Sequence, residues 1–176
     1  MPNDNALLLK AASLAAYKHR KHFRKDVDRT PYILHPLAVA RALVEEGGVD
    51  DAELLAAALL HDTLEDTDTT ASELETAFGP RIAKLVAEVS DDKALPKAER
   101  KRLQVERAGR ASPAAQQLKI ADKLCNLRDI VAIPPADWSV ERKRAYFDWA
   151  KEVVDRVRGA NAALAARFDE IYAHRP

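Results

Sequence analysis

Apolar positions recur every three or four residues along nearly the whole chain, the spacing of helices that each bury one face. No stretch alternates apolar and polar residues for long enough to suggest a strand. Leu7, Ala11, Leu14 and Ala15 begin the pattern and predict a helix from about Asn5 to His22, followed by a polar loop from Arg24 to Tyr32. His35-Pro36 opens a second helix, because proline suits a first helical turn, and Gly47-Gly48 ends it. Asp50 or Asp51 caps a third helix, expected to run on to about Asp66. Its segment Leu54 to Leu60 is apolar all round, which reads as a helix buried in the middle of a bundle. Thr69-Thr70 starts a short helix that stops by Gly79-Pro80, and another covers about Arg81 to Val89. Asp91 to Pro96 reads as a loop. Pro96 to Arg110 is helical but strongly charged, as on a surface. Ser112-Pro113 starts a helix carrying Leu118, Ala121, Leu124, Leu127 and Ile130, and it ends before Pro134-Pro135. Two last helices, Ser139 to Val157 and Asn161 to Ala173, separate near Gly159. The expected fold class is all-α, a helical bundle forming a single domain over residues 1–176.

Composition narrows the partners. Apolar residues make up 47% and charged residues 32%, an ordinary soluble balance. The 28 basic and 28 acidic residues cancel, so the basic excess that nucleic-acid binding draws on is absent and no nucleic-acid partner is expected. Cys125 is alone, which excludes an internal disulfide and a cysteine-rich zinc site and points to a reducing, cytoplasmic setting. The first residues lack the regions of a signal peptide. The longest apolar run stops at His61-Asp62, short of the ~18 residues that span a bilayer, so no membrane association is expected.

Candidate chemistry concentrates in His61-Asp62-Thr63-Leu64-Glu65-Asp66. In a helix, His61 lies under Glu65 and Asp62 under Asp66, one turn apart. An imidazole and a carboxylate side by side suit a first-row divalent ion, and two further carboxylates one turn on can hold water or accept a proton. A lone His-Asp pair is ordinarily an accident of composition. Here it closes a wholly apolar run, where several buried carboxylates need a metal or basic neighbours. His35, at the start of the second helix, and Asp122, among apolar positions, are further candidate ligands. Taken singly, His35 equally suits a helix cap or a hydrogen-bonded buried histidine. Asp122 equally suits an ion pair with Lys119 or Lys123.

A larger pattern surrounds these residues: Arg24-Lys25, Thr30-Pro31-Tyr32-Ile33-Leu34-His35-Pro36, Ala57-Ala58-Leu59-Leu60-His61-Asp62-Thr63-Leu64-Glu65-Asp66, Asp91-Asp92-Lys93, and Lys119-Ile120-Ala121-Asp122-Lys123-Leu124-Cys125-Asn126-Leu127-Arg128-Asp129. In this ordered set the chain resembles the HD-domain superfamily. Within it the likeness is to the hydrolase domain of the RelA/SpoT group, and above all to the stand-alone small alarmone hydrolases. The resemblance implies a helical bundle, a manganese ion on His35, His61, Asp62 and Asp122, and a catalytic pair, Glu65 and Asp66. It implies hydrolysis of guanosine tetra- or pentaphosphate (ppGpp or pppGpp), with the 3′-pyrophosphate removed to leave GDP or GTP.

The same resemblance favours substrate contact for Arg24 and Lys25, since a guanidinium plane can stack on a purine. Asn126, one turn beyond Asp122, faces the same space, and its amide can bond ribose or base. Tyr146 matches a family position near the nucleotide, though a buried helix tyrosine fits equally. Cys125 is smaller than the side chains expected there in relatives and reads as a small core residue. Lys18, Arg20 and Lys21 read as a solvated basic face, and Arg100, Lys101 and Arg102 as surface charges. His19, His22 and His174 receive no function, and Trp138 and Trp149 are expected to pack between the late helices. Two other readings compete. One is an HD phosphohydrolase acting on another nucleotide, such as the 2′-phosphate of NADPH. The other is a non-catalytic alarmone-binding module, which predicts a lost ligand or lost carboxylate pair, and none is lost here.

Overall fold

Helix caps written in the sequence set where elements begin in the computed structural model, which describes residues 3–176. Ten α-helices follow one another: α1 (Asp4–Lys18), α2 (Leu34–Glu45), α3 (Ala52–Leu60), α4 (Thr63–Asp66), α5 (Ala71–Phe78), α6 (Pro80–Val89), α7 (Lys97–Ala108), α8 (Pro113–Ala132), α9 (Val140–Asp155) and α10 (Ala162–Tyr172). No strand occurs among the described residues, so the all-α expectation holds. Asn3, Asp51, Thr70, Ser112, Ser139 and Asn161 each accept backbone N–H groups at a helix start, satisfying donors that lack an intrahelical partner. Thr70 and Glu73 bond each other's backbone in a capping box. Among the described residues, no helix is long and apolar enough to cross a membrane.

α3 is apolar all round because it serves two cores. Leu54, Leu55 and Ala58 join a cluster with α2, α8, α9 and α10. Ala56, Ala57, Leu59 and Leu60 join a second with α1, α5 and α6. Every residue from Leu54 to Leu60 is buried, and each leucine contributes about 1.5–3 kcal/mol by leaving water. A buried rod thus delivers His61 and Asp62, at its C-terminal end, into the interior. Gly47 lets α2 end against α10: a Cβ there would stand 2.7 Å from the Leu43 carbonyl and 3.1 Å from Asn161 Nδ2.

Two boundaries differ from expectation. α1 ends at Lys18 rather than His22. The His19 ring turns inward to stack on Tyr32, with centroids 4.8 Å apart, and the chain then pairs with itself. Tyr32 donates its N–H to the His22 carbonyl, and Arg24 donates to the Thr30 carbonyl, around a Phe23–Pro31 bridge. The helix expected to reach Asp66 instead breaks at His61-Asp62 into α3 and α4. Side chains take the carbonyls that close α3: His61 Nδ1 lies 2.7 Å from the Ala58 oxygen, and Thr63 Oγ1 donates to Leu60 at 2.7 Å.

Candidate metal and substrate site

Four side chains from three elements meet where α2, α3 and α8 converge. α2 supplies His35, the end of α3 supplies His61 and Asp62, and α8 supplies Asp122. His35, His61 and Asp62 each offer a donor atom within 4.8 Å of the others. Asp122 Oδ1 lies 3.1 Å from His35 Nε2 and 3.7 Å from His61 Nε2, and Asp62 Oδ2 lies 3.0 Å from His61 Nε2. His61 Nδ1 donates to the Ala58 carbonyl, which leaves the Nε2 lone pair facing the carboxylates, buried and without a hydrogen-bond partner. Burial works against charge on His61, but Asp62 and Asp122 outweigh it and hold the imidazole well above its ordinary value. Burial likewise pushes Asp122 upward, and Lys123 and the two histidines overcome it, leaving that carboxyl well below the usual range. A field that draws a proton so strongly draws a divalent cation too, and two imidazoles with two carboxylates form a donor set that fits a first-row divalent ion.

The neighbouring carboxylates are held apart from this cluster. Glu65 accepts the Asp91 N–H at 3.1 Å and faces Arg100 Nη1 at 3.3 Å. Burial, together with the charges of Asp91, Asp62 and Asp66, raises its proton affinity above that of an ordinary glutamate, against the Asp91 hydrogen bond. Gln104 donates to Asp91 at 2.5 Å, so α7 holds the segment that holds Glu65. Asp66 pairs with Lys93. The Tyr32 hydroxyl donates to Asp62 Oδ2 at 2.6 Å and lies 3.5 Å from Asp66. The break at His61-Asp62 therefore leaves Asp62 and Asp66 on one side, meeting at Tyr32.

A cavity of about 550 Å³ opens over this cluster. Arg24, Lys25, Asn126 and Tyr146 all line it, and Lys25 is exposed at its rim. Arg24 donates to Asn126 at 3.1 Å and to Asp129 at 2.5 Å, and Asn126 donates to Asp122 at 2.7 Å, so the nucleotide-side candidates are tied to the ligand candidates. Burial raises the Tyr146 hydroxyl to about 12. Cys125 is a buried core residue outside the lining, its thiol raised to about 12 by burial.

Several expectations change here. Arg100 and Lys101 are not free surface charges, because with Lys97 and Gln104 they form one face of α7 that walls the cavity. Arg102 does lie outside, between Glu99 and Glu106. The spacing 97, 100, 101, 104 is helical and carried that signal, but a charged stripe looks the same facing solvent. Trp138 and Trp149 also line the cavity, and the Trp149 indole joins α9 to α7 by donating to the Lys101 carbonyl at 3.1 Å. Lys119 and Lys123 are buried in the wall. His19 is buried behind Tyr32. Lys18 pairs with Asp68 and lies outside the cavity.

Comparison with known proteins now decides the family. A model of the HD domain matches residues 11–146, which contain all of the residues just described except Trp149. The chain belongs to the HD-domain family. Among HD proteins, it is 52% identical over 172 residues to the guanosine-3′,5′-bis(diphosphate) 3′-pyrophosphohydrolase MESH1 of Xenopus tropicalis, covering 98% of this chain and 96% of that one. It is 51% identical to the human protein of the same name, covering 99% and 98%. A solved structure described as a metazoan orthologue of SpoT that hydrolyses ppGpp superposes with a TM-score of 0.94 at 47% identity, covering 99% of this chain and 97% of that one.

Proposed function

We propose that this HD-domain hydrolase removes pyrophosphate from the 3′ position of ppGpp or pppGpp, yielding GDP or GTP. The observation that supports the reading is the gathering of His35, His61 and Asp62, with Asp122 beside them, under a cation-lined cavity, in a chain that is about half identical to such enzymes along its whole length. Manganese is the ion we assign, held by His35, His61, Asp62 and Asp122. Such an ion supplies Lewis acidity at the phosphoryl group and makes water more acidic.

The residues do the rest. Glu65, with its raised proton affinity and its fixation by Asp91 and Arg100, is suited to take a proton from the attacking water. The water oxygen bonds to the phosphorus on the ribose 3′ oxygen, that P–O bond breaks, and the 3′ oxygen leaves as a hydroxyl on regaining a proton. Asp66, restrained by Lys93 and Tyr32, supports the water beside Glu65. Arg24, Lys25, Asn126 and Tyr146 receive the nucleoside end.

Incubation with manganese and ppGpp should release GDP and pyrophosphate, with NADPH as the competing substrate. Glu65→Gln should bind metal normally and lose at least about a hundredfold in kcat, the scale of a general base. Absence of pyrophosphate release from ppGpp would overturn the reaction, and full turnover by Glu65→Gln would overturn the assignment of the base.

A further inference from the structure

Lys119 lines the cavity at 8% exposure and has no hydrogen-bond or ion-pair partner among the described residues. An unpaired ammonium on a largely buried side chain is costly unless an anion meets it. Its buried neighbour Lys123 is paired, with its Nζ 2.9 Å from Asp122. Arg100, facing Lys119's end of the cavity from α7, is similarly incomplete: its Nη1 reaches Glu65, while its Nε is buried without a partner.

The position of Lys119 gives the cavity a direction. Lys119, Asp122, Lys123 and Asn126 are spaced i, i+3, i+4 and i+7, so they share one face of α8. Asn126 lies one turn beyond Asp122 toward the C-terminus, where it meets Arg24. Lys119 lies one turn the other way, within the influence of Glu65 and Asp91. A nucleoside held at Arg24 and Asn126, with its 3′ phosphorus at the cluster, extends its second phosphate toward Lys119. One helical turn is ~5.4 Å, within reach of a phosphate joined through a single bridging oxygen.

We infer that Lys119, together with Arg100, holds the distal phosphate of the pyrophosphoryl group, making this end of the cavity a terminal-phosphate subsite. The inference rests on the reaction proposed above. It makes Lys119 a residue that distinguishes a 3′-diphosphate from a 3′-monophosphate, and it predicts that released pyrophosphate is retained there as a competitive inhibitor. Burial, with Lys123 the next contribution, lowers the Lys119 amine to about 8, a poise that an arriving phosphate dianion reverses.

The test is calorimetric titration of the manganese-loaded protein with inorganic pyrophosphate and, separately, with GDP, which carries a 5′-diphosphate and no 3′ group. Lys119→Met should weaken pyrophosphate at least about tenfold, the loss of one charge-assisted bond, and leave GDP within about twofold. Lys119→Arg should keep most of the affinity, and Lys119→Gln should reproduce the loss if the methionine variant folds poorly. Pyrophosphate affinity that is absent in the wild type, or unchanged in both neutral variants, overturns the subsite. An equal loss for GDP overturns it too, by placing Lys119 at the 5′ phosphates. The two readings fail separately. Lys119-dependent pyrophosphate binding without ppGpp hydrolysis sinks the reaction alone, and hydrolysis with Lys119-independent binding sinks the subsite alone.

Discussion

Removing one oxygen from Tyr32 should loosen the metal without disturbing the fold. The Tyr32 hydroxyl donates at 2.6 Å to Asp62 Oδ2, the same oxygen that lies 3.0 Å from His61 Nε2. It is the side-chain donor that fixes the rotation of that carboxylate. A hydrogen bond to a charged group contributes about 1.5–3 kcal/mol, and at 1.4 kcal/mol per decade this corresponds to roughly 10- to 150-fold in affinity. Loss of an outer-shell partner typically costs about 10- to 100-fold in metal binding, the same range. Tyr32→Phe keeps the ring that stacks on His19, so the change is confined to the hydroxyl. Manganese titration followed by the rise in melting temperature should show Kd weakened by about 10- to 100-fold, with the metal-free melting temperature nearly unchanged. A Kd within twofold of wild type would refute the reasoning. Lost turnover with intact metal affinity would shift the role of Tyr32 to Asp66, its other carboxylate neighbour.

Two further predictions probe the frame around the site. Gln104→Leu deletes the 2.5 Å bond to Asp91 and so slackens the N–H that holds Glu65. It should lower kcat by about 3- to 30-fold while KM and manganese affinity stay constant, and a change confined to KM would contradict it. Away from the site, Arg128 makes bonds of 2.6 and 2.8 Å to Glu46, and these hold the Glu46 carboxyl below its ordinary 4.5. Stabilisation from a depressed carboxyl is complete above the unfolded value and disappears as pH falls through the folded one. Arg128 is 40% exposed, so after solvent screening Arg128→Met should lose about 0.5–1 kcal/mol at neutral pH. At about pH 2 its denaturant midpoint should match wild type, and a difference persisting there would mean that packing, not charge, is responsible.

Charge in the cavity explains how these parts work together. Seven carboxylates and eight lysines or arginines line one space, yet most carboxylates already have partners. Asp122 is bound to Lys123 and Asn126, Asp129 to Arg24, Asp66 to Lys93, and Glu65 to Arg100. Lys25, Lys97, Lys101 and Lys119 are left without carboxylate partners among the described residues. A polyanion entering the cavity therefore meets unpaired ammonium groups among pre-formed pairs, so it gains charge contacts without first breaking an ion pair.

Much of this protein is legible in its sequence. Apolar periodicity and cap residues such as Asp51, Thr70, Ser112 and Ser139 marked nearly every helix, because both act within a few residues of chain. The adjacency of His61 and Asp62, and their place at the end of an all-apolar helix, were likewise local facts. The union of His35 with Asp122 was reached through resemblance, since 87 residues separate them and no spacing rule joins such positions. Two things depended on tertiary structure alone. The inward face of α7 became a cavity wall because α9 packs behind it through Trp149. Tyr32 reached Asp62 because the chain between His22 and Tyr32 closes on itself. The break at His61-Asp62 is local, with side chains three residues on taking the last carbonyls of α3, and apolar periodicity does not register it. Helical periodicity says which residues share a face; only the packing of one helix against another says what that face meets.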